Sequence, residues 1–383
     1  MWGIKAASVF DGTAVAERPT VLIDGGEVRA VGEPLPETIE VVDLPTATVL
    51  PGLVDCHQHL VFDGNGTLEE QVCDRSDEEL AARARSNARR ALEGGVTTLR
   101  DLGDRAFVTL DLRGDPGLPN LLTAGPPLTD RGGHCWYLGG ECDGLDGLLA
   151  GVDERIERGC DVVKIMATGG GLTPTVPMWK SQFDRHQIIA VVERAHAAGI
   201  PVAAHAHGVD GIRDAVAAGV DTIEHCTFFT EAMHAAPPDD LLEVLAASDS
   251  ALSATLGATP DRVLPPLFEA SMATIREAFG RVHEGGGTVL VGTDAGINAF
   301  KPHDVMPRAM APLVDLGMTP LEALAAMTSR AADVLGLPSV GRLAPGAAAD
   351  IVAVEGDPLA DPDDLTRVSH VWRAGQSVER SAA

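Results

Sequence analysis

Aromatic residues and lysines are scarce in this chain of 383 residues. Phe, Trp and Tyr together make up 4% of the sequence, whereas 45% of it is hydrophobic, so the core must be built mainly from aliphatic side chains. Four lysines and a formal net charge of -27 leave little positive surface for phosphates, which argues against a nucleic-acid partner. The same acidity fits a role in keeping the surface soluble.

Long hydrophobic runs and paired cysteines are missing as well. No run reaches the ~20 apolar residues of a membrane span, and the first residues lack the basic flank and apolar stretch of a secretion signal. Six cysteines without a Cys-x-x-Cys pair are too few for a disulfide scaffold and do not suggest structural zinc. We therefore expect a cytoplasmic protein with no membrane partner.

Two β-rich ends flank a middle of different character. The first fifty residues have the pattern of short strands separated by turns, and the sequence after Gly341 has the same pattern. These ends predict one composite β-sandwich domain formed by residues 1–50 and 341–383.

The middle, residues 51–340, alternates short apolar strands with alanine-rich helical stretches, which indicates βα units and a parallel sheet. The predicted strands are Val49–His57, Thr97–Leu102, Leu121–Ala124, Val162–Ala167, Val202–His207, Thr222–His225, Ala251–Thr255 and Thr288–Thr293. The clearest helical candidates are Asp77–Glu93, Arg185–Ala198, Gly211–Ala218, Asp240–Ala247 and Met272–Glu284. Eight strand-helix pairs predict the α/β class and a (β/α)8 TIM-like barrel.

Side chains that can bind metal follow several of these strands, at the edge where a barrel of this kind places its functional groups. They are His57, His59, Lys164, His205, His225 and Asp294. Because side chains alternate along a strand, His57 and His59 lie on one side, where both imidazoles can bind one ion. Lys164 lies in an apolar run, so burial favours its neutral form, although a structural ion pair is the alternative for this lysine.

The segment from Pro51 to His59 resembles the first barrel strand of the amidohydrolase superfamily, which ends in Pro-Gly-hydrophobic-hydrophobic-Asp-x-His-x-His. Lys164 resembles the fourth-strand lysine that, in binuclear members, is carboxylated by carbon dioxide and bridges two metal ions. His205 and His225 match the fifth- and sixth-strand ligands, and Asp294 matches the eighth-strand aspartate that binds metal and transfers protons. The resemblance implies two divalent ions, Zn²⁺ above all, that share a hydroxide, with CO2 held as a carbamate on Lys164.

Three further residues are expected to contact substrate. His134 follows the third strand, where the dipeptidase and carboxypeptidase branch of the superfamily keeps a catalytic histidine that faces the substrate carbonyl. His207 stands where that branch often has a tyrosine that reaches the substrate carboxylate, so it either binds another polar group or packs. Tyr137, the only tyrosine, lies close to His134 in the sequence and is expected to line the same pocket.

The resemblance predicts a metal-dependent hydrolase that cleaves an amide bond of a small molecule, with a dipeptide or N-acyl amino acid as substrate. The alternatives are a mononuclear hydrolase of a cyclic amide or imidazolone, which does not use the lysine, and a non-catalytic scaffold, which typically loses ligands. Deaminases of the superfamily carry a glutamate three residues after the fifth-strand histidine, where this chain has Gly208. Members of the superfamily often associate, so a homo-oligomer fits the resemblance.

Overall fold

A computed structural model describes residues 1–173, 175–264 and 266–380, with the backbone alone described at residue 267. The strands are β1 Trp2–Val9, β2 Thr20–Asp24, β3 Glu27–Val31, β4 Glu40–Pro51, β5 Leu53–Gln58, β6 Val96–Asp101, β7 Asn120–Thr123, β8 Thr129–Asp130, β9 Glu141–Cys142, β10 Val163–Met166, β11 Val202–Gly208, β12 Thr222–Phe229, β13 Ala251–Ala254, β14 Val289–Val291, β15 Ile351–Glu355, β16 Val368–Arg373 and β17 Gln376–Ser377. The α-helices are α1 Leu68–Cys73, α2 Asp77–Glu93, α3 Gly144–Arg158, α4 Arg185–Ala197, α5 Val209–Ala218, α6 Asp239–Ala247, α7 Pro266–Glu284, α8 Met310–Asp315, α9 Pro320–Ala326 and α10 Ser329–Val334.

Two parallel sheets form the middle of the molecule, one with the order β5-β6-β7 and one with the order β10-β11-β12-β13-β14. Hydrogen bonds link the two sheets at both ends. Asp294 N donates to His57 O over 2.7 Å at one end, and Leu128 N donates to Lys164 O over 2.8 Å at the other. The eight predicted strands all overlap observed ones, and the arrangement is consistent with the predicted barrel.

The first predicted strand, Val49–His57, is divided in the structure, because β4 ends at Pro51 and β5 begins at Leu53. Gly52 lies between them against Thr97, and a Cβ at this glycine would lie 1.9 Å from Thr97 Oγ1. Only glycine allows so close an approach. The chain therefore passes from one sheet to another at Gly52.

The helices that cover the parallel strands begin at ordinary capping signals. Ser76 Oγ accepts a hydrogen bond from Glu79 N, and the Glu79 carboxylate accepts one from Ser76 N, so a capping box starts α2. The five predicted helices are confirmed to within a few residues at their ends, except that α7 begins six residues earlier than predicted. Helix α3 was not predicted, because three glycines in it lower its helix propensity. None of the described helices is long and apolar enough to cross a bilayer.

Strands from both ends of the described chain share one seven-stranded sheet, in the order β17-β16-β15-β4-β1-β2-β3. Strand β4 lies at its centre, parallel to β1 and antiparallel to β15. One face of this sheet packs around its own apolar cluster, which includes Ile4, Val49, Ile351 and Trp372. Residues 381–383 of the predicted terminal domain lie outside the described residues.

Candidate metal centre

His57, His59 and Asp294 meet where β5 and β14 end. Nε2 of His57 lies 3.1 Å from Nε2 of His59, and Asp294 Oδ1 lies 3.5 and 3.4 Å from these two nitrogens. On the other side of each ring, Nδ1 of His57 is 2.9 Å from Glu224 Oε2 and Nδ1 of His59 is 3.3 Å from Gly103 O. Because these oxygens accept the Nδ1 protons, both Nε2 lone pairs face the aspartate, as metal ligation requires.

A second group consists of His205, His207 and His225, which stand on β11 and β12. One ring nitrogen from each lies within 4.8 Å of the others. Nε2 of His205 donates to Gly169 O over 3.1 Å, which leaves Nδ1 of this ring free to bind a metal ion. Each of the two groups therefore offers at least two nitrogen donors to a single ion.

Lys164 is buried, and its Nζ has no hydrogen-bond partner within the described part of the chain. Burial lowers the pKa of this lysine to about 8. Burial, followed by the charge of Lys164, lowers the pKa of His57, and the same charge contributes to the lowered pKa of His205 after burial and the neighbouring imidazoles. On β10, Lys164 pairs with Ala203 of β11, two residues before His205. A buried amine without a partner is costly and calls for an explanation.

The donor set fits divalent metal ions. Neutral imidazoles and a carboxylate are common zinc ligands, and burial, followed by the charge of Lys164, lowers the pKa of His57 to about 4, so that this ring is neutral at pH 7. The Lys164 amine can join such a set only after it loses its positive charge, which a carbamate would achieve by replacing the ammonium with an anion.

The backbone is strained at two of these residues. Asp294 has a φ of 58° and His225 a φ of 70°, a left-handed conformation that non-glycine residues rarely adopt. Next to Asp294, Thr293 donates from N and Oγ1 to the Asp55 carboxylate over 2.9 and 2.6 Å, and Lys301 Nζ donates to Thr293 O over 2.6 Å. These bonds hold Asp294 in its conformation, and strain held in this way is typical of functional sites.

A buried ion pair between Arg100 and Glu224 contacts the first group through His57. Glu224 Oε1 accepts from Arg100 Nη2 over 2.9 Å and from Thr222 Oγ1 over 2.6 Å, while its other oxygen binds His57. Although burial raises the pKa of Glu224, the Arg100 and His57 side chains outweigh it and hold this pKa well below its usual range. Glu224 is therefore an anion that fixes the orientation of the His57 ring.

The family model of the amidohydrolase family matches residues 48–378. This chain belongs to the amidohydrolase family. Ochratoxinase of Aspergillus niger is 27% identical over 373 residues, which cover 86% of this chain and 75% of that enzyme. Imidazolonepropionase of Streptomyces griseus subsp. griseus is 29% identical over 397 residues, which cover 94% and 92%. A crystal structure described as a Xaa-Pro dipeptidase with bound methionine in the active site has a TM-score of 0.86 and 27% identity, over 98% of each chain. This amidohydrolase is thus an enzyme that hydrolyses carbon–nitrogen bonds of small molecules.

His134 of this amidohydrolase lies beside the second group, with its ring 4.5 Å from that of His205 between centroids. Its Nδ1 is 3.0 Å from Thr173 Oγ1, and a Cβ at Gly170 would lie 2.3 Å from the ring, so the imidazole is closely confined. Burial, followed by the charge of His207, lowers the pKa of His134 to about 3. A neutral imidazole can donate a hydrogen bond to a carbonyl oxygen.

The Tyr137 hydroxyl donates to Cys135 Sγ over 3.7 Å, so its role as a residue that lines the substrate pocket stays a prediction. Two phenylalanine rings border the second group. Phe229 lies 6.4 Å and Phe268 lies 6.3 Å from His207 between ring centroids. Phe228 packs in the main core.

Gly208 rules out the proton-shuttling glutamate of the deaminases for a steric reason. A Cβ at this position would lie 2.1 Å from the backbone oxygen of Trp179. No side chain fits without movement of that loop, so the geometry agrees with the sequence in disfavouring deamination.

Sequence reasoning brought together the residues that the structure places around one centre: His57, His59, His134, Lys164, His205, His207, His225 and Asp294. It missed Arg100 and Glu224, both of which lie within predicted strands. The signal was present, because a charged residue inside an apolar strand is as unusual there as Lys164 is.

Proposed function

We propose that this chain is a binuclear metal-dependent hydrolase that cleaves an amide bond of a small molecule, a dipeptide or an N-acyl amino acid. The observation that supports it best is the buried Lys164 amine, which has no hydrogen-bond partner in the described residues and stands on β10 beside β11, the strand that carries two of the candidate ligands. A mononuclear centre has no use for this amine. A carbamate on Lys164 would supply one oxygen to each of two ions.

In this proposal His57, His59 and Asp294 would hold one zinc ion, His205 and His225 would hold the other, and a carboxylated Lys164 would bind both. Two such ions, when bound, lower the pKa of a water molecule toward neutrality and polarise a substrate carbonyl. The first group is preorganised for this task, since Glu224, Gly103 and the Asp55 network fix its three side chains before any ion arrives.

Asp294 transfers the proton. Although burial raises its pKa, His57 and His59 bring it down to about 2, so the carboxylate is ionised at neutral pH. It accepts a proton from the attacking water and delivers it to the leaving nitrogen. His134 donates a hydrogen bond from Nε2 to the carbonyl oxygen of the scissile bond, while Thr173 holds its Nδ1.

The likeness to a Xaa-Pro dipeptidase structure supports a dipeptide, and the likeness to ochratoxinase supports hydrolysis of an amide. The likeness to imidazolonepropionase supports a second candidate, a mononuclear hydrolase of a cyclic amide. The two candidates differ in their need for Lys164.

We also infer that the two parallel sheets close into one (β/α)8 barrel, residues 51–340, because backbone hydrogen bonds join both seams. Residues 1–50 and 341–383 would then form the composite β domain, since their strands share a sheet with its own apolar cluster.

The test is metal content per chain after preparation with zinc and bicarbonate, measured by inductively coupled plasma mass spectrometry, for wild type, Lys164→Ala and the exposed control Lys5→Ala. The proposal expects two ions in wild type and control, fewer in Lys164→Ala, and turnover of dipeptides or N-acyl amino acids only with two ions. One ion in all three proteins, with turnover of a cyclic amide, would favour the mononuclear candidate. Full activity of Lys164→Ala with two ions would eliminate the bridge.

A further inference from the structure

We propose that His207 is a metal ligand, so that the second ion is held by three imidazoles from His205, His207 and His225. The inference rests on the binuclear centre proposed above and adds a protein donor to it. It also means that the His207 side chain binds the ion and does not take over the substrate-binding role of the tyrosine that related enzymes often have at this position.

The orientation of the His207 ring is the first argument. Its Nδ1 lies 2.8 Å from Thr227 Oγ1, an oxygen that can accept the Nδ1 proton. A hydroxyl can also donate, so the inference requires the tautomer in which Thr227 accepts and the Nε2 lone pair is free. His57 and His205 likewise donate from one ring nitrogen to a protein oxygen, and there the Glu224 carboxylate and the Gly169 carbonyl can only accept. Such a partner on the far nitrogen is a general feature of histidines that bind metal.

The position of the ring is the second argument. His205 and His207 are two residues apart on β11, so both point to the same side, as His57 and His59 do beside β5. The His207 ring lies 4.6 Å from both the His205 and the His225 rings, between centroids. One ring nitrogen from each of the three residues lies within 4.8 Å of the others, a spacing from which small rotations would bring them around a single ion.

The surroundings of His207 are the third argument. The residue is 6% exposed, and the rings of Phe229 and Phe268 flank its imidazole. These two aromatic rings offer the imidazole no conventional hydrogen-bond donor or acceptor. In the proposal, recognition of any substrate carboxylate therefore falls to other residues.

The inference predicts a particular coordination. Three imidazoles and one carbamate oxygen would hold the second ion, whereas two imidazoles, the Asp294 carboxylate and the other carbamate oxygen would hold the first. Five histidines would then bind the ion pair, not four.

The experiment compares zinc affinity, ion by ion, in wild type, His207→Phe, Thr227→Val and the control His186→Phe, whose histidine lies exposed on α4. Competition with a chromophoric chelator gives the dissociation constants. We expect one ion to bind at least about 100-fold more weakly in His207→Phe and about 10-fold more weakly in Thr227→Val. The other ion and the control should keep wild-type affinity. If His207→Phe binds both ions like wild type and only KM rises, His207 is a substrate-binding residue and the inference is overturned.

A second measurement uses the wild-type protein alone and does not depend on the folding of any variant. After replacement of zinc by Co²⁺, each bound histidine gives one strongly shifted proton NMR signal from its remaining ring N–H. Five exchangeable signals are expected, and four would overturn the inference. A wild-type chain that binds fewer than two ions would overturn the binuclear proposal and this inference together, whereas two ions with four signals would overturn this inference alone.

Discussion

Replacing Arg100 with methionine should destabilise the protein far more than the loss of a surface arginine does. Arg100 and Glu224 are 1% and 0% exposed, so the substitution leaves a buried carboxylate with its main countercharge removed. Breaking a buried pair in this way costs about 3–5 kcal/mol. At about 2.1 cal/mol/K per residue, the 383 residues have an unfolding entropy of about 0.8 kcal/mol/K if they unfold as a unit. The midpoint of thermal unfolding should therefore fall by about 4–6 °C.

The matched control is Arg194→Met, which breaks a pair with Asp153 whose side chains are 46% and 44% exposed. An exposed pair contributes at most about 1 kcal/mol, so the midpoint should change by no more than about 1 °C. Both variants are measured by calorimetry on metal-free protein, so that lost metal binding does not contribute. If Arg100→Met unfolds within 1 °C of wild type, the buried charge pair does not carry the stability assigned to it.

Three other substitutions test separate parts of the structure. Lys164→Met removes a buried amine that lacks a partner among the described residues. The free energy of unfolding of the metal-free protein should therefore rise by about 1–3 kcal/mol, while zinc content falls. A metal-free variant that urea unfolding shows to be less stable than wild type would contradict this prediction. Burial and the Asp101 carboxylate raise the pKa of Asp104 from 3.8 to about 7. Between these two pH values the folded state keeps a proton that the unfolded chain releases, so the free energy of unfolding falls as pH rises from 3.8 to about 7. Asp104→Asn should therefore raise the thermal midpoint more at pH 8 than at pH 5, and an equal change at both pH values would argue against the raised pKa. Gly170→Ala should displace the His134 ring and lower kcat/KM about 100-fold with zinc content unchanged. Gly147→Ala, whose Cβ would make only ordinary van der Waals contacts with Cys142 at 3.4–3.7 Å, should match wild type.

The parallel strands and the positions of the metal-binding side chains were predictable because they depend on local patterns. An apolar strand followed by His57-x-His59 or by Asp294 fixes both the element and the edge at which the side chain lies. Helix α2 was equally clear, since its capping box and its apolar spacing agree.

Other features depend on contacts between segments that are distant in sequence. The full length of β4 was not predicted, because Pro45 interrupts the segment before Val49 and makes it resemble a loop. Pairing with β1 and β15 extends the strand. The partners of Glu224 could not be predicted, because Arg100 comes from a strand that lies elsewhere in the sequence. The hydrogen bond between Thr227 and His207 depends on residues of β12 whose backbone is in the left-handed conformation, and this conformation could not be predicted from the sequence.

The wide separation of the first group along the chain has a consequence for biosynthesis. His57 and His59 emerge from the ribosome early, but Asp294 follows 235 residues after His59. At a synthesis rate of about 5–20 residues per second, Asp294 is added to the chain roughly 10–50 s after the two histidines. Glu224, which orients His57, also arrives late. If the proposed centre forms, the chain therefore holds only a weak two-histidine ligand while the 235 residues between His59 and Asp294 are synthesised, and tight binding of an ion depends on the last strand of the series and not on the first.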